Sequence, residues 1–280
     1  MKTEKKTALI TGGNSGIGRV TAIKLAMAGF SIILAGRSEK KNKIVVQEIN
    51  TLVGSNVCEW LLIDLASLSS VKNCANLFLN SKRHLNILIN NAGVAGTAGT
   101  TSEGFELSFG VNYLGHFLLT NLLLDRLKNT KNSRIITVSS RAHKHAKFID
   151  WDLVTKKTVS FTGIREYAVS KLANILFNRE LFRKLNGSNV SSYCLHPGVV
   201  DTNIWRELPV FFRPILKFKG MLTPEEGAKT TLYCATKAPH KESGYYYADE
   251  KIDLPTNTAQ SDALACELWE RSLTWTEKYI

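Results

Sequence analysis

The chain has 280 residues, 44% of them apolar, and it carries a formal net charge of +12. This length exceeds that of an average domain but fits one large α/β domain with a sizeable core. The basic residues are dispersed and are not interleaved with aromatic ones, which disfavours a nucleic-acid-binding protein. The charge instead favours a phosphorylated cofactor or an acidic membrane surface as a partner.

The five cysteines are odd in number and widely spaced, and they form neither a CxxC motif nor a ligand cluster with the six histidines. This usage predicts a reducing compartment and no structural metal. Residues 1–6 are polar and lead directly into an apolar segment, and no stretch approaches the ~20 apolar residues of a spanning helix. We therefore expect no signal peptide or transmembrane helix in this chain, and a cytoplasmic or peripherally membrane-associated protein.

Short apolar, β-branched segments alternate with longer helical patterns along the chain, which is typical of a parallel sheet covered by helices. The predicted strands are 7–11, 31–35, 57–63, 86–89, 134–138, 190–195 and 244–248. The fold class is therefore α/β, a single Rossmann-type doubly wound parallel sheet of about seven strands with helices on both faces. Its cofactor half comprises about residues 1–130, and its catalytic and substrate half about residues 131–280.

Helices are predicted at 17–28, which Gly29 ends, and at 105–127. The buried face of the second helix is predicted to contain Phe109, Leu118, Leu119 and Leu122. Residues 223–226 read Thr-Pro-Glu-Glu, which indicates a capping box with proline at the first helical position.

A glycine-rich segment, residues 11–18, follows the first predicted strand and opens the first helix. Glycine is needed there because a β-carbon would block a tight turn and the approach of backbone amides to a pyrophosphate. The helix N-terminus adds partial positive charge. This placement favours dinucleotide binding over a simple glycine-rich turn. The predicted cofactor-binding residues of the segment are Gly12, Asn14, Ser15, Gly16, Ile17 and Gly18.

The end of the second strand decides the type of nucleotide, because an acidic residue there would bind the ribose hydroxyls of NAD. The chain instead has Arg37, whose guanidinium can pair with a 2′-phosphate in bidentate fashion. This predicts NADP(H) as the cofactor, and the alternative for Arg37 is a solvated surface residue. Asp64, after the third strand, is placed to contact the adenine edge or, equally well, to cap a helix.

Tyr167 and Lys171 lie four residues apart in a predicted helix and therefore face the same way. A free tyrosine ionises near pH ~10, but a cationic neighbour favours the phenolate and lowers that pKa towards working pH. The pair is thus a candidate acid/base catalyst. The alternative is a chance pair on a solvated helix face.

Taken with these features, four further motifs resemble the short-chain dehydrogenase/reductase family over essentially the whole chain. They are Asn90-Asn91-Ala92-Gly93, Asn112 in the following helix, Ser139-Ser140, and His196-Pro197-Gly198. The resemblance implies that Tyr167 is the general acid/base, with Lys171 lowering its pKa and binding the nicotinamide ribose. It further implies that Ser140 hydrogen-bonds the reacting oxygen and that Asn112 holds a water that relays protons through Lys171.

Two of these assignments have alternatives. Ser139 is the other candidate serine, and Asn112 could simply kink or cap its helix. The resemblance also assigns cofactor contacts to Asn91, Ala92, Gly93, Pro197, Gly198, Val199 and Thr202.

Longer segments are similar to the retinol dehydrogenase-like branch of this family, namely 112–120, 138–143, 170–177 and 196–200. This implies an NADP(H)-dependent oxidoreductase that interconverts a lipophilic alcohol and its aldehyde or ketone, retinoid first. One alternative is an NAD(P)-dependent steroid, sugar-alcohol or general carbonyl reductase. Another is a nucleotide-sensing protein without catalysis. The family often pairs through the helices that contain Asn112 and Tyr167, so a homodimer is a possible assembly.

Residues 208–222 are rich in phenylalanine and leucine and also contain three basic residues. They fall in the predicted lid, residues 203–224. Three interpretations compete: a lid over an apolar substrate pocket, a helix that dips into a membrane surface, and ordinary core packing. Near the C-terminus, Leu268, Trp269 and Trp275 are left with three possible roles, in the pocket, in the core or in an interface.

Overall fold

The computed structural model describes residues 5–200 and 221–280. Eight strands of this part of the chain form one sheet in the order β3-β2-β1-β4-β5-β6-β7-β8. The first seven strands run parallel, and β8 pairs antiparallel with β7. The bounds are β1 Thr7–Thr11, β2 Ser31–Gly36, β3 Cys58–Leu62, β4 Ile87–Asn90, β5 Arg134–Val138, β6 Ser191–His196, β7 Tyr246–Ala248 and β8 Lys251–Ile252.

All seven predicted strands are present, and most ends lie within a residue of their predicted positions. The sequence did not predict β8, which has only two residues and no apolar pattern. It returns along β7 after a tight turn in which Asp249 and Glu250 adopt φ values of 50° and 60°. Such a short return depends on pairing with β7, because too few residues are present for a periodic pattern to be read.

Helices cover both faces of the sheet. Their bounds are α1 Gly16–Met27, α2 Glu39–Val53, α3 Leu68–Asn80, α4 Leu107–Phe109, α5 Gly115–Lys128, α6 Trp151–Val154, α7 Ile164–Lys184, α8 Pro224–Thr236 and α9 Asp262–Thr276. One core cluster lies between the sheet and α1, α2 and α8, and the other lies under α3, α5, α7 and α9. Burial on both faces explains why the central strands β1, β2 and β4 are mostly apolar rather than alternating.

The predicted helix 105–127 is observed as α4, a π-helical segment Gly110–Leu114, and α5. Phe109, Leu118 and Leu119 are buried as predicted, while Leu122 is partly buried. Among the described residues, one helix, Leu107–Lys128, is long and apolar enough to cross a membrane by length and composition. However, 78% of its apolar window is buried inside the fold, because this helix packs against the sheet as a core helix.

The predicted capping box is confirmed at the start of α8. The Thr223 side chain accepts from the backbone N–H of Glu226, and the Glu226 carboxylate accepts from the backbone N–H of Thr223. Pro224 occupies the first helical turn, where its missing N–H costs nothing. The sequence therefore fixes this helix start locally, independently of the sheet.

Candidate active site

The carboxyl ends of the parallel strands meet at one edge of the sheet, and the strand order reverses at β1, which lies between β2 and β4. Ligands of open α/β sheets bind in the crevice at such a point. Here the crevice is a cleft of about 680 Å³. It runs from the turn after β1 to the residues that follow β6, so its walls come from both halves of the chain.

The glycine-rich turn between β1 and α1 forms one end of the cleft. Gly12 and Gly16 adopt φ values of 64° and 50°, a left-handed conformation that favours glycine. A β-carbon on Gly18 would lie 2.4 Å from the carbonyl oxygen of Gly12. The turn therefore requires glycine at these positions, and it presents the N-terminus of α1 to the cleft, where a phosphate is favourably bound.

The residues predicted to contact the cofactor line this cleft wherever the structure describes them. Thr202 lies outside the described residues. Those present are Gly12, Asn14, Ser15, Gly16, Ile17, Gly18, Arg37, Asp64, Asn91, Ala92, Gly93, Tyr167, Lys171, Pro197, Gly198 and Val199. The predicted lid, residues 203–224, is described only from Met221 onward. There the backbone N–H of Leu222 donates to the carbonyl of Val199 at 2.8 Å.

The end of β2 presents positive charge to the cleft. Arg37 lines the cleft with an exposed side chain, and Lys41, one turn into α2, joins it. The nearest carboxylate in sequence, Glu39, forms an ion pair with Lys43 at 2.6 Å and does not line the cleft. Lys41 was not predicted from the sequence. Its position four residues after Arg37, at the start of a helix, indicates that the two basic side chains can lie on the same side.

Asp64 lines the cleft, and its role in capping is local. Its carboxylate accepts from the backbone N–H of Ala66 at 3.0 Å. The N-cap of α3 is instead Ser67, whose hydroxyl accepts from the backbone N–H of Ser70. Asp64 therefore stabilises the loop before α3 and is not the N-cap of that helix. It also lies at the border of the cleft.

A buried network that the sequence did not predict joins β1, β4 and the π-helical segment. The Thr11 hydroxyl accepts from the backbone N–H groups of Asn91 and Ala92 at 2.9 and 3.0 Å, and it lies 2.8 Å from Nε2 of His116. Nδ1 of His116 lies 3.0 Å from the carbonyl oxygen of Asn112, which can only accept a hydrogen bond. His116 therefore carries its proton on Nδ1, and Thr11 donates to Nε2.

Burial lowers the pKa of His116 to about 4, so the ring is neutral at physiological pH, as this network requires. The network holds the backbone of Asn91 and Ala92 against the end of β1. No residue of the network other than Asn91 and Ala92 lines the cleft.

Asn112 occupies the π-helical segment, so the helix irregularity considered in the sequence is present. Its side chain is fully engaged: Oδ1 accepts from the backbone N–H of Val94 at 2.8 Å, and Nδ2 donates to the carbonyl of Val94 and to the Ser170 hydroxyl. Its main-chain carbonyl accepts from His116 and has a second lone pair. The side chain thus anchors the loop after β4.

Tyr167, Lys171 and Ser140 converge at the other end of the cleft. Tyr167 and Lys171 lie one turn apart on α7, and the Lys171 ammonium is 5.6 Å from the centre of the tyrosine ring. Ser140 hydrogen-bonds Tyr167. Ser139, the alternative serine, donates its hydroxyl to the carbonyl of Lys171 at 2.7 Å and is buried. Ser140 is therefore the serine whose hydroxyl faces Tyr167.

The pKa of Tyr167 shifts in the direction opposite to the expected one. Burial raises it to about 12, and the hydrogen bond from Ser140 offsets only part of that rise. Burial also lowers the pKa of Lys171 to about 8, and its ammonium donates to the carbonyl of Val138 at 2.9 Å. Burial disfavours the charged form of both side chains, the phenolate of Tyr167 and the ammonium of Lys171. The spacing of the two residues in the sequence does not reveal this burial.

Among residues 5–200 and 221–280, no group of three or more His, Cys, Asp or Glu side chains is placed to hold a metal ion. The five cysteines all lie in this part of the chain and are free thiols. Four of them are buried, and Cys266 is exposed.

The chain is similar to known proteins in both sequence and fold. Residues 6–151 match the family model of the short chain dehydrogenases. Bovine dehydrogenase/reductase SDR family member 13 is 41% identical over 95% of this chain and 72% of its own length. Mouse retinol dehydrogenase 11 is 39% identical over 95% of this chain and 85% of its own, and human polyprenol dehydrogenase is 39% identical over 97% and 85%.

Solved structures share the fold. A protein from Mycobacterium paratuberculosis, described as uncharacterized, superposes with a TM-score of 0.78 at 32% identity, covering 98% of this chain and 94% of its own. A short chain dehydrogenase from Escherichia coli CFT073, complexed with NADPH, superposes with a TM-score of 0.69 at 21% identity over 87% and 96%. The chain belongs to the short-chain dehydrogenase family and is an oxidoreductase of the retinol dehydrogenase-like type.

Proposed function

We propose that this protein is an NADP(H)-dependent oxidoreductase that interconverts a lipophilic alcohol and its aldehyde or ketone, with retinol and retinal as the first candidates. The observation that carries the proposal is the hydrogen-bonded pair of Tyr167 and Ser140, with Lys171 beside it, at the far end of a cleft that begins at a glycine-rich turn. A proton donor and a polar hydroxyl at one point are what carbonyl reduction needs at oxygen.

The cleft fits a dinucleotide. The glycines leave space where a β-carbon would clash, so backbone amides and the start of α1 can hold a pyrophosphate. Arg37 and Lys41 would bind the 2′-phosphate that distinguishes NADPH from NADH. Asn91, Ala92, Gly93, Pro197, Gly198 and Val199 would border the nicotinamide end. When bound, NADPH supplies the hydride that the carbonyl carbon receives.

In the reduction direction, the Tyr167 hydroxyl donates its proton to the carbonyl oxygen. A pKa of about 12 keeps the phenol protonated at physiological pH, which is the form that a proton donor requires. The Ser140 hydroxyl donates a hydrogen bond to the same oxygen and stabilises its developing negative charge. Lys171, with a pKa of about 8, returns a proton to Tyr167. The relay of protons to Lys171 through a water held by Asn112 stays a prediction, because Asn112 is buried and does not line the cleft.

The substrate class rests on apolar walls and on related proteins. Val94, Ala142, Ile164 and Val199 line the cleft together with Tyr167 and Ser140. Such walls suit an apolar substrate whose single polar group reaches the catalytic residues. Relatives about 39% identical are called retinol dehydrogenase and polyprenol dehydrogenase, and both names describe lipophilic alcohols. Peripheral membrane contact through residues 208–222 stays a prediction, because most of these residues lie outside the described ones.

The variant Tyr167→Phe tests the catalytic assignment. It removes the proton donor and keeps the ring, so we expect turnover to be abolished while the dissociation constant for NADPH, measured by fluorescence titration, stays nearly unchanged. Tyr245→Phe is the matched control, because Tyr245 is half exposed and does not line the cleft. Undiminished turnover in Tyr167→Phe would reject Tyr167 as the acid.

A substrate panel tests the rest of the proposal. NADPH consumption should be fastest with long apolar carbonyls, retinals first, and slower with small hydrophilic aldehydes. A preference for small hydrophilic aldehydes would contradict the lipophilic class, even if Tyr167→Phe abolishes turnover.

A further inference from the structure

The catalytic loop that contains Ser140 is held by two buried histidines from different parts of the chain. Ser140 follows β5 and precedes a 3-10 turn, Arg141–His145. The last backbone bond between β5 and β6 is from the N–H of Ser139 to the carbonyl of Leu195 at 2.7 Å. Beyond it, the backbone N–H of Ala142 donates to the Ser140 hydroxyl at 3.1 Å, and two histidines contact the backbone of the loop, His143 in the turn and His196 at the end of β6.

Each ring contacts a backbone group of the loop through Nδ1. Nδ1 of His143 lies 2.7 Å from the carbonyl oxygen of Ser140, and the backbone N–H of Arg141 donates to Nδ1 of His196 at 3.2 Å. Both histidines are buried, at 0% and 2% exposure. The two histidines therefore bind consecutive residues of the loop: His143 binds the carbonyl of Ser140, and His196 binds the amide of Arg141.

These partners require opposite tautomers. A carbonyl only accepts, so His143 carries its proton on Nδ1, and an amide only donates, so Nδ1 of His196 is unprotonated. Nε2 of His143 accordingly accepts from the backbone N–H of Thr256 at 3.5 Å. Burial lowers the pKa of both rings, that of His196 to about 3 with a further contribution from Arg141, so both are neutral at physiological pH.

We propose that His143 and His196 are positioning residues that hold the Ser140 hydroxyl towards Tyr167 through opposite, fixed tautomers. The inference rests on the proposed function, because positioning Ser140 affects the rate only if its hydroxyl binds the reacting oxygen. A displacement of a reacting group by about 1 Å can cost about 100-fold in rate. His196 carries the larger effect, since the carbonyl of Ser140 also accepts from the backbone N–H of His143 at 3.1 Å.

Asparagine and glutamine at position 196 separate this role from a merely structural one. In His196→Asn the amide oxygen can take the place of Nδ1 and accept from Arg141, whereas in His196→Gln the amide lies one bond farther out, near the place of Nε2. We expect His196→Gln to lower kcat by about 10- to 100-fold, and His196→Asn to retain most of it, with similar KM and NADPH affinity. Equal losses of kcat in both variants would overturn the proposal.

His143 allows the same comparison. His143→Asn can still donate from its amide to the Ser140 carbonyl, and His143→Gln cannot. We expect His143→Gln to lose more kcat than His143→Asn, but by a smaller factor than at position 196. The hydrogen bond from the backbone N–H of His143 to the Ser140 carbonyl remains in both variants. If His143→Asn loses more kcat than His143→Gln, His143 does not act through this bond.

A double-variant cycle distinguishes this inference from the proposed function. Ser140→Ala should lower kcat, and adding His196→Gln to it should cause little further loss, because the hydroxyl to be positioned is gone. Undiminished turnover in Ser140→Ala would contradict the proposed role of Ser140 itself. If Ser140→Ala is impaired but His196→Gln still causes its full loss on that background, only the positioning inference fails.

The tautomers can be read without any variant. Nitrogen-15 NMR of imidazole-labelled wild-type protein at neutral pH should show the Nε2–H tautomer for His196 and the Nδ1–H tautomer for His143. The same tautomer at both positions, or a protonated ring at either, would overturn the proposal. This measurement decides the question even if a histidine variant fails to fold.

Discussion

At the scale of single residues, burial sets the acid strength of the two central side chains. The pKa of Tyr167 rises to about 12 and that of Lys171 falls to about 8, since each charged form loses contact with water. A neutral tyrosine is suited to donate a proton during reduction, and a lysine that titrates near pH 8 can resupply it. The desolvation that opposes charge in this site therefore supports the proton transfer proposed for the pair.

Lys171 should leave a signature in the pH dependence of stability. Its pKa in the fold, about 8, lies below its ordinary value of 10.5. Between these values the unfolded chain binds the proton and the folded protein does not, so the cost of burying the charge is fully present below pH 8 and disappears as pH rises towards 10.5. The stability advantage of Lys171→Met over wild type should shrink by about 2.5 kcal/mol between pH 7 and pH 10.

Denaturant unfolding at several pH values measures this difference. Using the difference between two proteins cancels the other groups that titrate in the same range, including the buried tyrosines. A difference that does not change with pH would show that Lys171 has an unshifted pKa in the fold.

Arg37 should select the cofactor. Replacing it by aspartate removes a cation that can bind the 2′-phosphate and places a carboxylate beside it. We expect Arg37→Asp to weaken NADPH binding by about 10- to 100-fold, the equivalent of one charge-assisted hydrogen bond, and to leave NADH binding equal or improved.

The matched control is Lys40→Asp, the same change of charge three residues away at a side chain that does not line the cleft. Fluorescence titration with both nucleotides gives the dissociation constants. A wild-type protein that binds NADH more tightly than NADPH would contradict the cofactor prediction.

At the scale of elements, the turn between β1 and α1 packs closely against its neighbours on one side and lines the cleft on the other. A β-carbon on Gly18 would lie 2.4 Å from the Gly12 carbonyl oxygen and 2.5 Å from Nδ2 of Asn91. The same Asn91 side chain donates to the carbonyl of Thr11 at 2.8 Å. The first helix, the end of β1 and the loop after β4 are therefore packed so closely that only glycine fits between them.

Gly18→Ala should consequently weaken NADPH binding by more than about 10-fold, because the clash displaces either the turn or Asn91. Gly29→Ala is the control. Gly29 has a φ of 91° but open space around its β-position, so that variant should lose stability and keep its affinity for NADPH. Equal affinities for NADPH in Gly18→Ala and wild type would mean that the turn does not border the pyrophosphate.

At the scale of the whole molecule, the C-terminal helix α9 completes the core over α5 and α7. Trp269 stacks on Phe177 with ring centres 5.8 Å apart and meets Phe117 edge-on at 5.0 Å, while Leu268 is fully buried. Trp275 is partly buried beside Phe105 and Phe109. These C-terminal residues therefore belong to the core. A homodimer through α5 and α7 remains a prediction, and α9 covers part of that face.

Trp269→Ala should lower the free energy of unfolding by about 3 to 5 kcal/mol, the usual cost of removing a large buried aromatic side chain. Trp275→Ala should cost less, because its side chain is only partly buried. Denaturant unfolding measures both, and NADPH affinity should be preserved in the folded state, since α9 does not line the cleft. A loss below about 1 kcal/mol in Trp269→Ala would contradict the packing of α9 onto α7.

Features that depend on neighbours in the chain were predictable from the sequence. Apolar strand segments, the glycine turn, the capping box at Thr223 and the spacing of Tyr167 and Lys171 each act over a few residues, so pattern and propensity determine them. The motifs also occur in an order that resembles one family, which predicted the fold and about half of the residues that line the cleft.

The tertiary structure alone decided features that join distant segments. Burial by both halves of the chain reversed the expected pKa shift of Tyr167, and the hydrogen bond of Ser139 to Lys171 left Ser140 as the serine facing Tyr167. The opposed histidines at 143 and 196 contact one loop from two elements, and β8 exists only because β7 pairs with it. Desolvation and long-range hydrogen bonds depend on which segments meet in space. The spacing of residues along the sequence does not predict those contacts.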